Sequence, residues 1–473
     1  MGVSSLLSDL ITVDFRTAVV VVILTTTFLS NLSKVPYLSS ILRWSVSNIR
    51  LQLLLLIRKG KNNNNAITTS DNNNDNNNDD DDSCIAKVSG IYIHPVKSMR
   101  SISLLESTIN LQSRCLTDDR RFMVVYESPL PAYKKKWELD DATHRFLTQR
   151  QCPSLATISA TIETTTTTTK ATATKDDDDG NFLILEKQSF PVKSGSGDSG
   201  DVTMTRIRIP LGNNNNNNNK NQKQKQTYLA GLWDNVVVVE DLGDDAAAFI
   251  QRIVDDDDEF SSTDRKIVVR LVSQPNSSAT SATSTSTSTS THNRPKPPVL
   301  GRDDRNYIPD YAKTWNGSAL GKPSLTDGFP ILIASEASLD ELNKKLIASG
   351  KDIIPMSRFR PNIVIQGKSS LQPFEEDKWK IILIGDIVFA IVKACPRCKQ
   401  SCTDQITGKV SPEPVEIMKS FRRGTSSSSL SDDDGGAVFF AQNAIPIGRI
   451  EGRSIKVGDT VTVLERGDPV YID

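Results

Sequence analysis

Histidine and cysteine are scarce in this chain. Its 473 residues contain three histidines, at positions 94, 144 and 292, and six cysteines, of which Cys395 and Cys398 form a Cys-x-x-Cys pair. This pattern excludes a disulfide framework and is typical of a reducing compartment. The formal net charge is −1, so no overall field would recruit nucleic acid or an acidic substrate.

Long stretches of the chain also lack apolar residues. Runs of Asn, of Ser and Thr, and of Asp carry too little apolar surface to offset the entropy lost on ordering. We therefore expect disordered low-complexity insertions at 161–180, 192–226 and 424–436. What remains is enough for two modest domains.

One apolar run does occur at residues 17–33, and it approaches the ~20 residues that a membrane-spanning helix needs. We expect a membrane anchor helix there; a buried strand or helix of a soluble domain is the alternative. Arg16 alone precedes the run, whereas six basic residues follow it between positions 34 and 61. The positive-inside rule then places the C-terminal bulk of the chain in the cytosol.

Strand-like alternation and turn signals divide the rest of the chain into two β-rich parts. Strands are expected at 86–93 and 380–392, and a helix at 339–348 with Ser338 as its N-cap. The expected segments are a membrane anchor and juxtamembrane segment at 1–60, a low-complexity tether at 61–84, a first domain at 85–272, a Ser/Thr/Pro-rich linker at 273–305 and a second domain at 306–473.

The Cys-Pro-Arg-Cys pair follows the apolar run that ends at position 392, and it allows four interpretations. A structural zinc site needs a second half, and only Cys402 is nearby. A redox dithiol normally opens a helix, whereas residues 399–404 look like a loop. Two incidental cysteines are the third interpretation. The fourth is a single thiolate that binds a soft, redox-active metal.

Cationic and polar side chains occur at several strand-end turns. Arginine binds phosphate through two hydrogen bonds, and lysine contributes a point charge. Any one of these side chains is most simply a solvated surface group, but several together near a thiol indicate a bound phosphorylated cofactor. The residues are Lys97, Ser98, Arg120, Arg121, Arg360, Asn362 and Arg397.

Several sequence blocks resemble those of MOSC-domain proteins. The N-terminal β-barrel part of that family has counterparts in GIYIHPVKSM, LTDDRRFMVV and FLTQRQCPSLA. The MOSC domain itself has counterparts in DGFPILIASEASLDELN, RFRPNIVIQG, KACPRCKQSCTDQITGKV and IKVGDTV. In order and spacing these blocks are similar to the amidoxime-reducing branch of the family. The resemblance implies an α+β, mostly β fold with two barrel-like domains.

The resemblance also implies a molybdenum cofactor, a molybdopterin whose dithiolene holds the metal while one protein cysteine adds a further sulfur ligand. The family's ligand is the cysteine of the Arg–Cys step, which is Cys398 here, so Cys395 would be a neighbour and not a ligand. The implied contacts to the pterin and its phosphate are Lys97, Ser98, Arg120, Arg360, Asn362, Arg397, Pro396 and Thr403.

The implied activity is the reduction of N-hydroxylated compounds such as amidoximes and hydroxylamines. Electrons would come from NADH through a flavin reductase and a cytochrome b5-type haem protein. The implied location is the mitochondrial outer membrane, facing the cytosol, with the endoplasmic reticulum as the alternative. Two other functions stay open: a non-catalytic molybdenum-cofactor carrier, and a zinc-stabilised β-barrel binding module.

Overall fold

The computed structural model describes residues 84–111, 113–127, 142–164, 181–188, 204–211, 226–232, 235–261, 267–275, 325–367, 371–424, 437–448 and 450–470. The expected membrane anchor at 17–33 lies outside these residues, as do 165–180, 192–203, 212–225 and 425–436 of the expected insertions. Disorder throughout 161–180 and 192–226 is not what the structure has, because the strands Ile158–Thr164 and Met204–Pro210 extend into these segments. Within the described ranges, no helix combines the length and the apolar character that crossing a bilayer requires.

Strands dominate the described residues, so the expectation of a mostly β fold is confirmed. The strands are β1 Ala86–Ile93, β2 Ile102–Leu104, β3 Glu106–Thr108, β4 Phe122–Glu127, β5 His144–Leu147, β6 Ile158–Thr164, β7 Asn181–Gln188, β8 Met204–Pro210, β9 Thr227–Leu232, β10 Asn235–Asp241, β11 Val269–Ser273, β12 Ile331–Ser335, β13 Ile363–Gly367, β14 Trp379–Ile384, β15 Ile387–Arg397, β16 Val438–Ile447, β17 Ser454–Lys456 and β18 Thr460–Arg466. The α-helices are α1 Asp244–Asp255, α2 Asp258–Ser261, α3 Glu336–Ala348 and α4 Val415–Met418, and short 3-10 helices lie at Pro153–Thr157, Met356–Phe359, Glu375–Lys378 and Lys399–Cys402.

Seven strands form what we call the large barrel, in the order β13-β12-β16-β15-β14-β18-β1, and the pairing of β1 with β13 closes it. Its strands are apolar at most positions, and its core buries Ile91, Trp379 and Phe389 completely. Strand β1 comes first among the described strands, yet it belongs to a barrel whose other strands all come from the C-terminal part.

Five strands form the small barrel, in the order β10-β11-β4-β5-β9. Helix α1 is amphipathic and buries Phe249, Ile250 and Ile253 in the adjacent hydrophobic core. Val96 and Met99, from the turn after β1, belong to the same core. The turn that leaves the large barrel is therefore anchored in the core of the other part of the molecule.

Two expected elements differ in the structure. The apolar run at 380–392 is two antiparallel strands, β14 and β15, joined through Gly385 at φ 56°, a conformation that favours glycine. Helix α3 begins after Ser335, so the expected N-cap Ser338 is wrong. Ser338 lies within the helix and is fully buried. Its hydroxyl donates a hydrogen bond to Oε1 of the buried Glu376 at 2.6 Å and therefore does not cap the helix.

Glu376 is a completely buried carboxyl group whose Oε2 atom has no hydrogen-bond partner among the described residues. Burial raises the pKa of Glu376 to about 7; the hydrogen bond from Ser338 opposes the shift, and the charge of Asp377 adds to it. Asp377 is itself paired with Arg422 at 2.8 Å and accepts a hydrogen bond from Gln442 at 2.6 Å. Of these two neighbouring carboxyl groups, Asp377 therefore has a cationic partner at hydrogen-bond distance, whereas Glu376 has the Ser338 hydroxyl.

Replacing Glu376 with Gln should make the stability of the protein less dependent on pH. Because the pKa of Glu376 is about 7 in the folded protein against an ordinary 4.5, the folded state binds the proton more tightly. Stability should therefore fall as pH rises from about 4.5 to about 7 and then level off. Urea midpoints measured across this interval should show that Glu376→Gln lacks part of the fall.

A matched control is Glu341→Gln, which removes only a partly exposed ion pair with Lys345 on α3. Its midpoint should follow the wild-type pH profile. If Glu376→Gln also runs parallel to wild type, the buried carboxyl group does not titrate in this range.

Candidate functional site

The turn after β1 carries Lys97 and Ser98 to the junction of the two barrels. The Lys97 backbone N–H donates to the Phe122 carbonyl at 2.8 Å, and Val96 forms a bridge with Phe122, so the turn is fixed against β4. Ser98 adopts φ 70°, which costs a non-glycine residue conformational energy. Its hydroxyl is buried and has no hydrogen-bond partner among the described residues, so it is available to a ligand.

The ammonium group of Lys97 is nearly completely buried. It donates to the Leu325 carbonyl at 3.1 Å and to Asp327 Oδ1, and it lies 5.4 Å from the centroid of the Phe146 ring. Burial lowers the pKa of Lys97, and the carboxylate of Asp327 opposes this shift. Asp327 is about half exposed, so the ion pair lies at the edge of the buried region.

Arg120 is held by its neighbour Asp119, which also accepts the His94 backbone N–H at 2.7 Å. Burial opposes the ionisation of Asp119, but the charge of Arg120 and the hydrogen bonds from His94 outweigh it and lower the pKa to about 2. Burial, followed by the charge of Arg360, lowers the pKa of His94 to about 3. His94 is therefore neutral at pH 7, and its ring adds no positive charge to the junction.

Arg360 ends the 3-10 helix Met356–Phe359 in the left-handed conformation, at φ 55°. Its Nη1 atom donates to the Met99 carbonyl at 2.6 Å and to Gln405 Oε1 at 3.0 Å. Burial, followed by the charge of Arg120, lowers the pKa of Arg360 to about 9. A guanidinium group with so low a pKa lies in an environment that favours an added anion.

Asn362 connects strands of the large barrel with its side-chain amide. Its Oδ1 atom accepts from the Leu332 backbone N–H at 3.1 Å and from Arg120 at 3.5 Å, and its Nδ2 atom donates to the Tyr92 carbonyl at 3.2 Å. Asn362 is fully buried, so these bonds satisfy an otherwise costly polar group. The amide thus aligns Arg120 with the barrel.

Arg397 ends strand β15 and is engaged by the protein itself. Its Nη1 atom donates to Cys395 Sγ at 2.9 Å, its Nη2 atom donates to the Phe359 carbonyl, and its guanidinium carbon lies 5.1 Å from the centroid of the Phe359 ring. Arg397 still contributes to the field at Arg360, because its charge lowers the pKa of that residue. Its position is therefore fixed before any ligand binds.

Strand β15 separates the two thiols of the Cys-x-x-Cys pair. The strand continues to Arg397, and Cys398 keeps an extended backbone with φ −121° and ψ −177°. Residues three apart in an extended chain point to opposite faces, and their Cα atoms are about 10 Å apart. Cys395 accordingly packs with the apolar cluster around Phe359 and Phe440, whereas Cys398 is exposed.

This separation weighs against two interpretations of the pair. A disulfide requires Cα atoms within about 7 Å of each other. A zinc site needs several ligands in one place, and no group of three or more His, Cys, Asp or Glu residues suited to a metal occurs in the described part of the chain. What remains is one accessible thiol, Cys398, at the start of the 3-10 helix Lys399–Cys402.

Cys402 and Thr403 end this short helix and face the protein interior. The Cys402 thiol contacts the Pro412 carbonyl at 3.5 Å, and burial raises its pKa. Thr403 forms a bridge with Val410, and its carbonyl accepts from Gln405 Nε2 at 3.0 Å. Both residues thus shape the loop that carries Cys398. The expectation that residues 399–404 form a plain loop is wrong, because the first four are helical.

Positive charge exceeds negative charge at the junction of the barrels. Five cations and two carboxylates of the described residues act on one another here, which favours the binding of an anion. These groups are the cations Lys97, Arg120, Arg150, Arg360 and Arg397 and the carboxylates Asp119 and Asp327.

The structure thus brings most of the predicted site residues to one region, and it adds four that the sequence did not indicate. Asp119 and Asp327 pair with the cations, and Gln149 and Gln405 connect the Cys398 loop to Arg360. Of the four, only Asp119 has a signal in the sequence, because it directly precedes the predicted site residue Arg120. The glutamines had none, because a neutral amide gains its role only from the partners that folding provides.

Comparison with known families agrees with this architecture. The chain matches the MOSC N-terminal beta barrel domain over residues 85–257 and the MOSC domain over residues 321–462. It is therefore a MOSC-domain protein that carries both domains.

Three curated relatives illustrate the similarity. The chain is 36% identical over 146 residues to mitochondrial amidoxime reducing component 2 of Bos taurus, an alignment that covers 31% of this chain and 37% of the relative. It is 42% identical over 99 residues to mitochondrial amidoxime-reducing component 1 of Homo sapiens, covering 21% and 27%. It is 31% identical over 120 residues to a molybdenum cofactor sulfurase of Pyricularia oryzae, covering 23% and 14%. The aligned stretches span little more than a third, or less, of these relatives.

Replacing Asp327 with Asn should strengthen anion binding at the junction. The change removes a carboxylate that neutralises Lys97 and keeps the side-chain shape, so affinity for inorganic pyrophosphate should rise about tenfold or more in the cofactor-free chain. Titration calorimetry on the full-length protein measures this affinity.

The control for this measurement is Asp118→Asn, which removes a partly exposed carboxylate that pairs with Arg121 at 3.0 Å and not with Lys97. Its pyrophosphate affinity should stay close to wild type. Equal or weaker binding by Asp327→Asn would show that the Lys97–Asp327 pair does not compete with the anion.

Proposed function

We propose that this protein is a membrane-anchored oxidoreductase that uses a molybdenum cofactor to reduce N-hydroxylated compounds such as amidoximes and hydroxylamines. The observation that carries the proposal is an exposed thiol, Cys398, on a loop that adjoins a junction with an excess of buried positive charge. Few ligands call for both features. A molybdopterin does, since its phosphate needs cations and its metal accepts a thiolate.

The residues present fit that cofactor by their own chemistry. Ser98 provides a buried hydroxyl without a protein partner, and Arg360 has a pKa lowered to about 9, which a bound anion would restore. Lys97 and Arg120 add charge on the same side. These four residues would hold the phosphate and the pterin, and Cys398 would be the protein ligand of the metal.

When bound, the cofactor would supply the two-electron chemistry that cleaves an N–O bond. The chain contributes binding and orientation. Arg397, fixed by Cys395 and Phe359, sets the direction in which the following Cys398 leaves the strand. Asn362 orients Arg120, and Asp119 keeps that arginine charged. The exposed side of Cys398 leaves room for a substrate.

The wider assignment rests on the resemblance to the amidoxime-reducing components. We infer from it that electrons come from NADH through a flavin reductase and a cytochrome b5-type haem protein. We likewise infer an anchor at residues 17–33 that holds the protein on the mitochondrial outer membrane, facing the cytosol.

The first test is the pair Cys398→Ser and Cys395→Ser, made in the full chain in cells that synthesise molybdenum cofactor. Cys398→Ser should lose reduction of an aromatic amidoxime and change molybdenum retention, because the metal loses its sulfur ligand. Cys395→Ser should keep most activity, because its sulfur contacts Arg397 in an apolar cluster. Elemental analysis for molybdenum and zinc accompanies the activity assay.

Several outcomes would count against the proposal. If Cys398→Ser still reduces the amidoxime, the assignment of Cys398 as the metal ligand is wrong. If both variants lose activity equally, the two thiols share a role. Zinc in place of molybdenum favours the binding module. The resemblance to a molybdenum cofactor sulfurase supports a second candidate, a cofactor carrier: that function predicts bound molybdenum without any N-reduction.

Arg360→Ala should lower cofactor content after purification. The arginine is buried beside other cations, so its loss removes a guanidinium group that would bind the phosphate, and molybdenum per protein should fall about tenfold or more. Mass-spectrometric metal analysis after gel filtration measures the ratio. Arg208→Ala, at an exposed position on the three-stranded sheet formed by β6, β7 and β8, is the control, and full retention in Arg360→Ala would contradict the phosphate role.

A further inference from the structure

The loop that carries Cys398 is held from the N-terminal side of the molecule by a buried glutamine. Gln149 lies just after β5 of the small barrel and is fully buried. Its Nε2 atom donates to the Gln400 carbonyl at 3.2 Å, two residues beyond Cys398. Two parts of the chain about 250 residues apart therefore meet directly at the thiol-bearing loop.

A second glutamine extends this contact to the cation cluster. Gln405 is also buried, and its Oε1 atom accepts from Arg360 Nη1 at 3.0 Å. Its Nε2 atom donates to Gln149 Oε1 at 3.3 Å and to the Thr403 carbonyl at 3.0 Å. Every side-chain polar atom of the two amides thus has a partner, which is what burial of an amide requires.

These bonds have one direction. Arg360 donates to Gln405, Gln405 donates to Gln149, and Gln149 donates to the Gln400 carbonyl. Turning either amide over would set donor against donor at one end and acceptor against acceptor at the other, so the chain of bonds fixes both side chains. A path of three hydrogen bonds consequently leads from the anion-binding guanidinium group to the backbone beside Cys398.

We propose that Gln149 and Gln405 are positioning residues, an amide relay that sets the orientation of the Cys398 loop from Arg360. The inference rests on the proposed function, because it assigns the thiol and the guanidinium group to one ligand. A metal ligand must be held in place by groups that do not themselves touch the metal, and such groups need buried, satisfied hydrogen bonds. Gln149 supplies one of these bonds from the small barrel, so that barrel takes part in holding the Cys398 loop.

The relay is tested first without any cofactor. The full chain carrying Cys395→Ser, which leaves Cys398 as the exposed thiol, is alkylated with iodoacetamide. Gln149→Met keeps the volume of the side chain and removes the amide. The loop then loses its hydrogen bond to the small barrel, and alkylation of Cys398 should accelerate about fivefold, the factor that one net hydrogen bond of about 1 kcal/mol represents. Gln405→Met should have an effect of similar size. Gln151→Met is the matched control, since Gln151 is exposed and bonds only within its own turn, to Thr148.

The decisive measurement is the double variant. If the two amides act as one relay, Gln149→Met with Gln405→Met should accelerate alkylation no more than the larger single change. Rates that multiply, or single variants that match Gln151→Met, overturn the proposal. Two variants at different sites guard against loss of folding in either one. Thermal midpoints measured alongside separate positioning from simple destabilisation, because a structural role would lower the midpoints and leave the thiol rate at the wild-type value.

Molybdenum content then separates this inference from the proposed function. If the relay orients the Cys398 loop, the Gln149→Met protein made in cofactor-producing cells should retain several-fold less molybdenum than Gln151→Met. If the wild-type chain itself holds no molybdenum, the proposed function fails, while the alkylation result still decides whether the relay exists.

Discussion

The burial of positive charge at the junction of the two barrels is the constraint on which the candidate site depends. A charged side chain leaves water only at a large cost, and Lys97 and Arg360 are both buried here, whereas Asp327, the carboxylate paired with Lys97, is about half exposed. The strain is visible in Arg360, whose pKa is about 9, and in the lowered pKa of Lys97. Proteins seldom retain such an excess without use, since apolar packing would be more stable. An anionic ligand that enters this junction removes the cost, and its binding thereby stabilises the fold.

The arrangement of the two barrels produces this junction. Strand β1 closes the large barrel through its pairing with β13, and the turn that follows it is fixed on β4 of the small barrel. Lys97 and Ser98 lie in that turn, while Arg360 and Cys398 come from connections of the large barrel. The site therefore exists only when both barrels have formed and met. Gln149 forms a further connection between the barrels, because its side chain extends from the small barrel and donates a hydrogen bond to the loop that carries Cys398.

How far the sequence predicts this molecule depends on the range of the interaction involved. Strand β1 was predicted to the residue, because its alternation and the Pro95 that ends it are local signals. The cations were predicted as a set, because charged side chains beside turns are conspicuous. The prediction of Ser338 as a helix N-cap is wrong because its hydroxyl donates to Glu376, a partner 38 positions away. Asp327 and Gln149 were missed for the same reason, since their partners lie more than 200 residues away in the chain.

The Cys-x-x-Cys pair shows most clearly what a motif leaves open. The spacing alone does not distinguish the two thiols, and zinc, a dithiol and a single metal ligand all fit it. Backbone conformation makes the two thiols unequal, since an extended strand turns residues three apart to opposite faces. β15 remains extended because Pro396 and Arg397 stay paired with β16 across an irregular register. Cys395 therefore packs in the apolar cluster and accepts a hydrogen bond from Arg397, and of the two thiols only that of Cys398 is exposed. A motif that would chelate a metal on a turn presents a single thiol when it lies at the end of a strand.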